Sequence, residues 1–182
     1  MDAILQNLIA LDAAIQDCLT KQNVLPALIL IYAGIDIVAS LESNPKAGVK
    51  RSFTRWVDLY MLPNPELECT ALELYAARCG MVHTLTAVSD LSHQGKTRTI
   101  NYAWGTASGA DLRESAKRLK RTTVAVVHIN DLHEAFRKGL LKWTNEVRGD
   151  GERGKRVNSH RSVWFMNLAP QKIKDFLAVS KS

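Results

Sequence analysis

The sequence has few cysteines, and they form no recognisable pair. Cys18, Cys69 and Cys79 are an odd set with no C-x-x-C spacing. Neither a disulfide framework nor a cysteine-bound zinc ion is therefore expected, and the reducing cytoplasm is the expected location. The first residues, MDAILQNLIALDAAIQD, carry acidic side chains where an export signal carries basic ones, so we expect no signal peptide.

Long uninterrupted apolar runs are also missing. The longest run, Val24 to Leu41, is broken by Tyr32, Gly34, Asp36 and Ser40. It is short for a membrane span and predicts a buried central helix with no membrane contact. Asp36 within it is either a hydrogen-bonded core carboxylate or a residue that faces a cleft.

Several catalytic signatures do not occur in the chain. It contains no H-E-x-x-H motif, no phosphate-binding glycine loop and no G-x-S-x-G motif. His128 and His133 are five residues apart, but we expect one at the end of a strand and the other at the start of a helix, which suits a metal ion poorly. The sequence therefore predicts neither a metal nor a cofactor.

Positive charge, in contrast, is plentiful. Lys and Arg number 24 against 18 Asp and Glu, which gives a net charge of +6. This balance suits a polyanionic partner without proving one. Each of the two basic clusters is either an ordinary solvated surface or, if RNA is the ligand, a grip on its phosphate backbone. The RNA-binding candidates in the first cluster are Lys117, Arg118, Lys120 and Arg121. Those in the second cluster are Arg153, Lys155 and Arg156.

Apolar residues recur at helical spacing through most of the chain. The pattern predicts helices over residues 3–21, 25–42, 53–62, 66–85, 111–121, 131–148 and 160–179. Ser52 is the expected cap of the third helix. Two segments rich in β-branched and aromatic residues, 97–104 and 122–129, predict strands that pair. The glycine-rich basic segment 149–159 predicts a mobile surface loop.

These elements indicate one domain over residues 1–182 with a mostly α fold. Residues 1–88 are expected to form a four-helix core. Residues 89–182 are expected to add a small two-stranded β element and further C-terminal helices.

The segment LYAARCGMVHT, residues 74–84, carries the motif that we consider functional. Arg78 is followed by four residues and then His83, on the last long helix of a four-helix arrangement, with Tyr75 before the Arg. This pattern resembles the HEPN superfamily over roughly residues 1–88. Other Arg and His residues have similar spacing, but Arg121 with His128 spans a predicted strand and Arg153 with His160 lies in a predicted loop.

The resemblance implies a metal-independent endoribonuclease in which Arg78 and His83 are catalytic. His can act as a base or an acid near neutral pH, and Arg can stabilise charge on phosphate oxygens. One His cannot easily make both proton transfers, so the family's homodimer would supply the second. Cys79, Glu73 and Asp36 are expected to line this site. The resemblance also suggests a toxin–antitoxin or phage-defence setting, with an antitoxin or another protein as a further partner.

Two positions depart from the family pattern. Active members usually have a polar residue after the Arg, and here it is Cys79, a weak hydrogen-bond donor. Members silenced by a partner nucleotidyltransferase carry a Tyr two residues after the His, and here it is Leu85. Alternatives therefore remain: a catalytically inactive HEPN module that binds RNA, a nucleotide or a protein, or a purely structural helical dimer in which Arg78 caps a neighbouring helix. Glu73 could pair with Arg78, pair with a cation of another helix, or be solvated.

Overall fold

A computed structural model describes residues 2–43, 47–63 and 67–159. The helices are α1 (Asp2–Thr20), α2 (Val24–Glu42), α3 (Val49–Tyr60), α4 (Ala71–Thr84), α5 (Asp90–His93), α6 (Gly109–Arg118), α7 (Ile129–Gly149) and α8 (Gly151–Ser159). The strands are β1 (Thr99–Ala103) and β2 (Val124–His128). The mostly α fold with a small two-stranded sheet is confirmed.

Helix α2 lies in the middle of the bundle and packs against α1, α3, α4 and α7. Of the described helices, it alone is long and apolar enough to cross a membrane, with a mean hydropathy of 2.2, and half of this apolar stretch is buried inside the protein. Ile31, Tyr32, Ile35 and Val38 are fully buried on it. Packing on four neighbouring helices therefore accounts for its apolar composition.

Helix α7 completes the core that residues 1–88 begin. Its Phe136 and Trp143 are buried, and the Phe136 ring lies 6.2 Å from that of Trp56 on α3. At Gly139 the two helices touch closely, since a methyl group there would lie 2.9 Å from the carbonyl oxygen of Tyr60. Only glycine allows this approach of α7 to the end of α3.

The two strands pair in parallel, from Thr99 opposite Val124 to Ala103 opposite His128. Helix α6 forms the crossover between them, as parallel strands require. Strand β1 packs on α4, and β2 packs on α6 and α7. Residues Ile100, Ala125 and Val127 join the common hydrophobic core, so the sheet is attached to the bundle by burial.

Two local expectations are wrong. Helix α3 begins at Val49 after Gly48, and the Ser52 hydroxyl donates to the Gly48 carbonyl inside the helix, so Ser52 is not its cap. Residues 151–159 form α8 and not a loop. The Asp150 carboxylate accepts from the backbone N–H groups of Glu152 and Arg153, which caps α8. The helix predicted over residues 160–179 lies outside the described residues.

Candidate active site

The first turn of α4 is fixed by a capping box. The Thr70 hydroxyl accepts from the Glu73 N–H, and the Glu73 carboxylate accepts from the Thr70 N–H at 2.8 Å. Arg98, just before β1, holds both oxygens of the same carboxylate, with Nε 2.6 Å from Oε1 and Nη2 2.9 Å from Oε2. Glu73 was expected to line the site, but its carboxylate is committed to Arg98 and to the start of α4.

Opposing effects act on the pKa of Glu73. Burial raises this pKa, but the hydrogen bonds and charge of Arg98, with the Thr70 N–H, outweigh burial and hold it below its ordinary value. Glu73 is therefore ionised at neutral pH, and it anchors α4 to the β element.

The last turn of α4 carries His83. The chain that follows folds back and bonds to this end of the helix. Leu85 adopts a left-handed conformation with φ 55°, and the Thr86 N–H donates to the Gly80 carbonyl. A methyl group at position 80 would lie 2.6 Å from the Thr86 carbonyl oxygen, so Gly80 permits this close return. The Thr84 hydroxyl also donates to the Gly80 carbonyl. These contacts fix the end of the helix beside His83.

Arg78 joins α2 to the end of α4. Its Nε donates to the Asp36 carboxylate at 2.7 Å, and its Nη1 lies 2.9 Å from Nε2 of His83. Residues five apart on a helix differ in direction by about 140°, and the long Arg side chain spans that difference. The structure thus brings together three of the five predicted site residues.

The contact between Arg78 and His83 involves the lone pair of one ring nitrogen. A guanidinium group only donates hydrogen bonds, so in this contact Nε2 of His83 accepts. The His83 side chain is exposed at the surface. A substrate can therefore reach it, but Arg78 must first release the Nε2 lone pair.

Burial shifts the pKa values of the two groups that lie beneath His83. It raises the pKa of the Asp36 carboxyl above its ordinary value, against the opposing effects of Arg78. Burial lowers the pKa of Arg78, but the hydrogen bond and charge of Asp36 outweigh it and raise that pKa. The other Asp36 oxygen, Oδ1, is buried and has no hydrogen-bond partner among the described residues. Asp36 thus positions Arg78 while remaining poorly solvated itself.

Cys79 and Tyr75 form the side of the site. Burial raises the pKa of the Tyr75 hydroxyl, and its hydrogen bond to the Cys79 thiol raises it further, while Arg78 opposes both. The Tyr75 ring packs edge-on against Phe53 at 5.6 Å. The aromatic residue before the Arg was visible in the sequence, but its link to Cys79 was not. Cys79 is half-buried and free, as expected for a small packed thiol.

An exposed apolar strip surrounds His83 along the chain. Val82, Leu85 and Val88 are exposed by 37%, 63% and 38%. Met81, the neighbour of Val82 in the motif segment, is 7% exposed and belongs to the core. The apolar side chains available to a second copy are therefore those of Val82, Leu85 and Val88.

Arg153, in the second basic cluster, is bound by other side chains of the protein. The Arg153 side chain is 16% exposed and donates to Glu42 at 3.0 Å, to Glu146 at 3.1 Å and to the Tyr60 hydroxyl. Burial lowers the pKa of Arg153, but these partners outweigh burial and raise it. Arg153 therefore holds α8 to α2, α3 and α7, and its predicted role in RNA binding would require it to leave these partners.

The other predicted basic residues have looser surroundings. Lys155 pairs with Glu152 at 2.8 Å on the surface, and Arg156 lies 3.7 Å from Glu42. In the first cluster, Lys117 and Arg118 end α6, and Lys120 and Arg121 form the turn that follows it. Arg118 pairs with Glu114 at 3.1 Å.

Comparisons with known proteins give no counterpart to this arrangement. No protein-family model matches the chain, and the searches of curated proteins and of solved structures gave no match. Within residues 2–43, 47–63 and 67–159, no group of three or more His, Cys, Asp or Glu side chains is placed to hold a metal ion. The geometry of Arg78 and His83 is therefore the main indication of the class of protein.

Proposed function

We propose that this protein is a homodimeric endoribonuclease of the HEPN type that cuts RNA without a metal ion. The observation that carries the proposal is the position of the Arg78 guanidinium, which bridges the Asp36 carboxylate and the His83 imidazole at the exposed end of α4. A cation and a titratable imidazole side by side at a surface are the groups that phosphate transfer within RNA requires.

In the proposed reaction the RNA 2′-hydroxyl attacks the adjacent phosphorus. A neutral His83 of one copy takes the 2′ proton at Nε2, and a protonated His83 of the second copy gives its proton to the departing 5′-oxygen. Arg78 turns from Nε2 of His83 towards the phosphate oxygens and stabilises their added charge, while Asp36 holds its Nε. The P–O5′ bond breaks as the P–O2′ bond forms, leaving a 2′,3′-cyclic phosphate and a 5′-hydroxyl.

The test is incubation of the pure protein with mixed RNA and with a matched DNA in excess EDTA. RNA should be cut, DNA should not, and the RNA products should carry 2′,3′-cyclic phosphate ends. His83→Ala should reduce the rate below detection, since each general acid or base contributes ~100- to 10,000-fold. Arg78→Ala should cost on the order of 100- to 1,000-fold.

His93→Ala is the matched control, because His93 is also exposed but lies on α5, away from the motif. This variant should cut RNA at the wild-type rate. Cleavage that survives His83→Ala, or that stops in EDTA, would contradict the mechanism.

A second function, binding without cleavage, is favoured by two features of the site. Arg78 occupies the lone pair that His83 needs as a base, and Cys79 stands where active relatives usually carry a polar residue. Under this alternative the protein retains RNA on a filter but leaves it intact. If Cys79 merely weakens a working site, Cys79→Asn should preserve or raise the cleavage rate.

A further inference from the structure

A cavity of about 400 Å³ lies between α6, the turn after α6 and strand β2, outside the site described above. It is half open to solvent, and its size is that of a small-molecule site. Five cationic side chains line it: Arg98, Arg113, Lys117, Lys120 and Arg121. Three of them belong to the first basic cluster, and Arg113 lies one helical turn before Lys117 on α6, whereas the sequence gave no reason to place Arg98 beside them.

The cavity has more positive than negative charge. Arg98 is paired with Glu73, and Arg113 lies 3.6 Å from Glu68. In the part of the chain that the structure describes, no carboxylate lies within 4.0 Å of the other three cations, which are Lys117, Lys120 and Arg121. Five positive and two negative charges thus leave an excess of three positive charges around one small cavity.

One of these cations lacks a partner for a buried donor. The Nη1 group of Arg113 is buried and makes no hydrogen bond to any described residue. Because Nη1 has almost no accessible surface, Arg113 contributes its positive charge to the cavity and not a hydrogen bond from Nη1. Arg113 extends from α6 beside Gly109, where its Nη1 would lie 3.2 Å from a methyl group at position 109.

Lys120 occupies a position that usually holds glycine. It has φ 50°, and the backbone N–H groups of Lys120 and Arg121 donate to the carbonyls of Lys117 and Ala116. These two bonds form the Schellman motif that ends α6, in which the left-handed residue is most often Gly. A lysine is strained there, so its side chain is expected to serve a purpose other than stability.

Part of the cavity wall is apolar. Ala116 on α6 and Val124 and Val126 on β2 contribute to it. The ligand should therefore combine a compact polyanion with a less polar organic part. A phosphodiester carries about one negative charge per phosphate, whereas a terminal phosphate carries about 1.5 to 2. The excess of three positive charges matches about three negative charges on a nucleoside diphosphate better than the single charge of one RNA phosphate.

We infer that this cavity binds the condensed phosphates of a nucleoside polyphosphate. Lys117, Lys120 and Arg121 contact the phosphate oxygens, Arg113 adds its positive charge, and the valines of β2 contact the sugar or base. The site is independent of the proposed ribonuclease chemistry, since none of its residues belongs to the Arg78 and His83 site.

The test is calorimetric titration of the full-length protein with ADP, ATP, pyrophosphate and adenosine at two salt concentrations. The wild type should bind ADP, ATP and pyrophosphate below about 1 mM, more weakly at higher salt, and adenosine much more weakly. Lys117→Gln should weaken ADP binding about tenfold, as expected for one lost charged hydrogen bond. His83→Ala should leave ADP binding unchanged, which separates this inference from the proposed cleavage.

Arg118→Gln is the matched control, because it removes the same charge from the neighbouring residue of α6, which is outside the cavity and paired with Glu114. Its affinity for ADP should equal that of the wild type. Lys120→Gly should weaken ADP binding while the melting temperature stays constant or rises, since Gly suits the left-handed position. Three results would overturn the inference: no binding of any condensed phosphate, equal losses in Lys117→Gln and Arg118→Gln, or displacement of ADP by a short RNA that binds this cavity more tightly.

Discussion

At the scale of single residues, two carboxylates that each hold an arginine have pKa values shifted in opposite directions. Glu73 receives two hydrogen bonds from Arg98 and one from the Thr70 N–H, and its pKa is lowered. Asp36 receives one from Arg78 and keeps a buried oxygen without a partner, and its pKa is raised. The number of hydrogen bonds to the ionised form therefore decides which effect dominates.

Glu73→Gln should lower the free energy of unfolding by about 1.5–3 kcal/mol at pH 7, near the low end because Arg98 is partly exposed. Because the pKa of Glu73 is lower in the folded protein, wild-type Glu73 stabilises the fold above its unfolded-state pKa of about 4.5. That stability is lost as the pH falls through the folded-state pKa. Urea unfolding of both proteins from pH 7 to pH 2.5 should show the difference shrinking with acid. A constant difference would contradict the prediction.

Asp36→Asn should show the opposite dependence on pH. The raised pKa of Asp36 means that folding favours the protonated carboxyl, so its contribution to stability is present below the unfolded-state value of about 3.8 and is lost as the pH rises through the folded-state pKa. The stability of the wild type relative to Asp36→Asn should therefore fall as the pH rises over that interval. The same urea series measures it, and a relative stability that rises with pH would show that the pair with Arg78 dominates burial.

The sequence indicated Arg78, His83 and Asp36 as site residues because each was unusual locally: a motif on a helix, and an acid within an apolar run. It could not assign Glu73 to Arg98, since the partner lies 25 positions further along the chain. It also missed Arg98 and Arg113 in the cavity. Arg113 was predictable from its helical spacing to Lys117, whereas only the fold brings Arg98 near them.

At the scale of elements, α8 shows how tertiary contacts override composition. The segment is rich in Gly and Arg, yet Arg153 reaches three partners, and Val157 is fully buried. Asp150 before the helix, Glu152 in its first turn and Arg156 in its last are the signals that could have predicted it. The longer helices were predictable, because a buried stripe repeats over many turns.

Arg153→Gln should destabilise the protein by about 2–3 kcal/mol, since it leaves Glu42 half-buried without its main partner. Lys155→Gln is the matched control on the same helix, and it should change stability by less than about 0.5 kcal/mol because its pair with Glu152 is exposed. Urea unfolding measures both, and hydrogen exchange should show faster exchange in α8 for Arg153→Gln only. Equal effects would mean that Arg153 is an ordinary surface residue.

At the scale of the whole molecule, the proposed chemistry requires two copies with their His83 side chains close together. The exposed apolar side chains beside His83 are those of Val82, Leu85 and Val88. A second exposed apolar area lies in the groove between α1 and α7, where Ile9 and Leu141 are exposed by 59% and 64%. Dimers formed through these two surfaces would differ, and only the first surface includes the neighbours of His83.

Leu85→Asp should convert the dimer to a monomer and abolish RNA cleavage. Leu85 has a left-handed conformation that Asp adopts more readily than Leu, so the fold should be preserved. Leu141→Asp, which places the same charge on the other apolar surface, should leave the protein dimeric. Sedimentation velocity at micromolar concentration measures both. A wild-type monomer, or a dimer broken by Leu141→Asp alone, would contradict the composite site.

The position of the cavity cations along the chain has a consequence for how the protein can evolve. All five come from the single stretch 98–121, whereas Asp36, Arg78 and His83 are scattered over α2 and α4. Mutations confined to the crossover can therefore retune ligand preference while the bundle and its Arg–His pair stay intact. Arg98 is the exception, because it also clamps Glu73 at the start of α4. Substitutions of Arg98 are limited by their cost in stability. Amino-acid substitutions should therefore accumulate first at Lys117, Lys120 and Arg121.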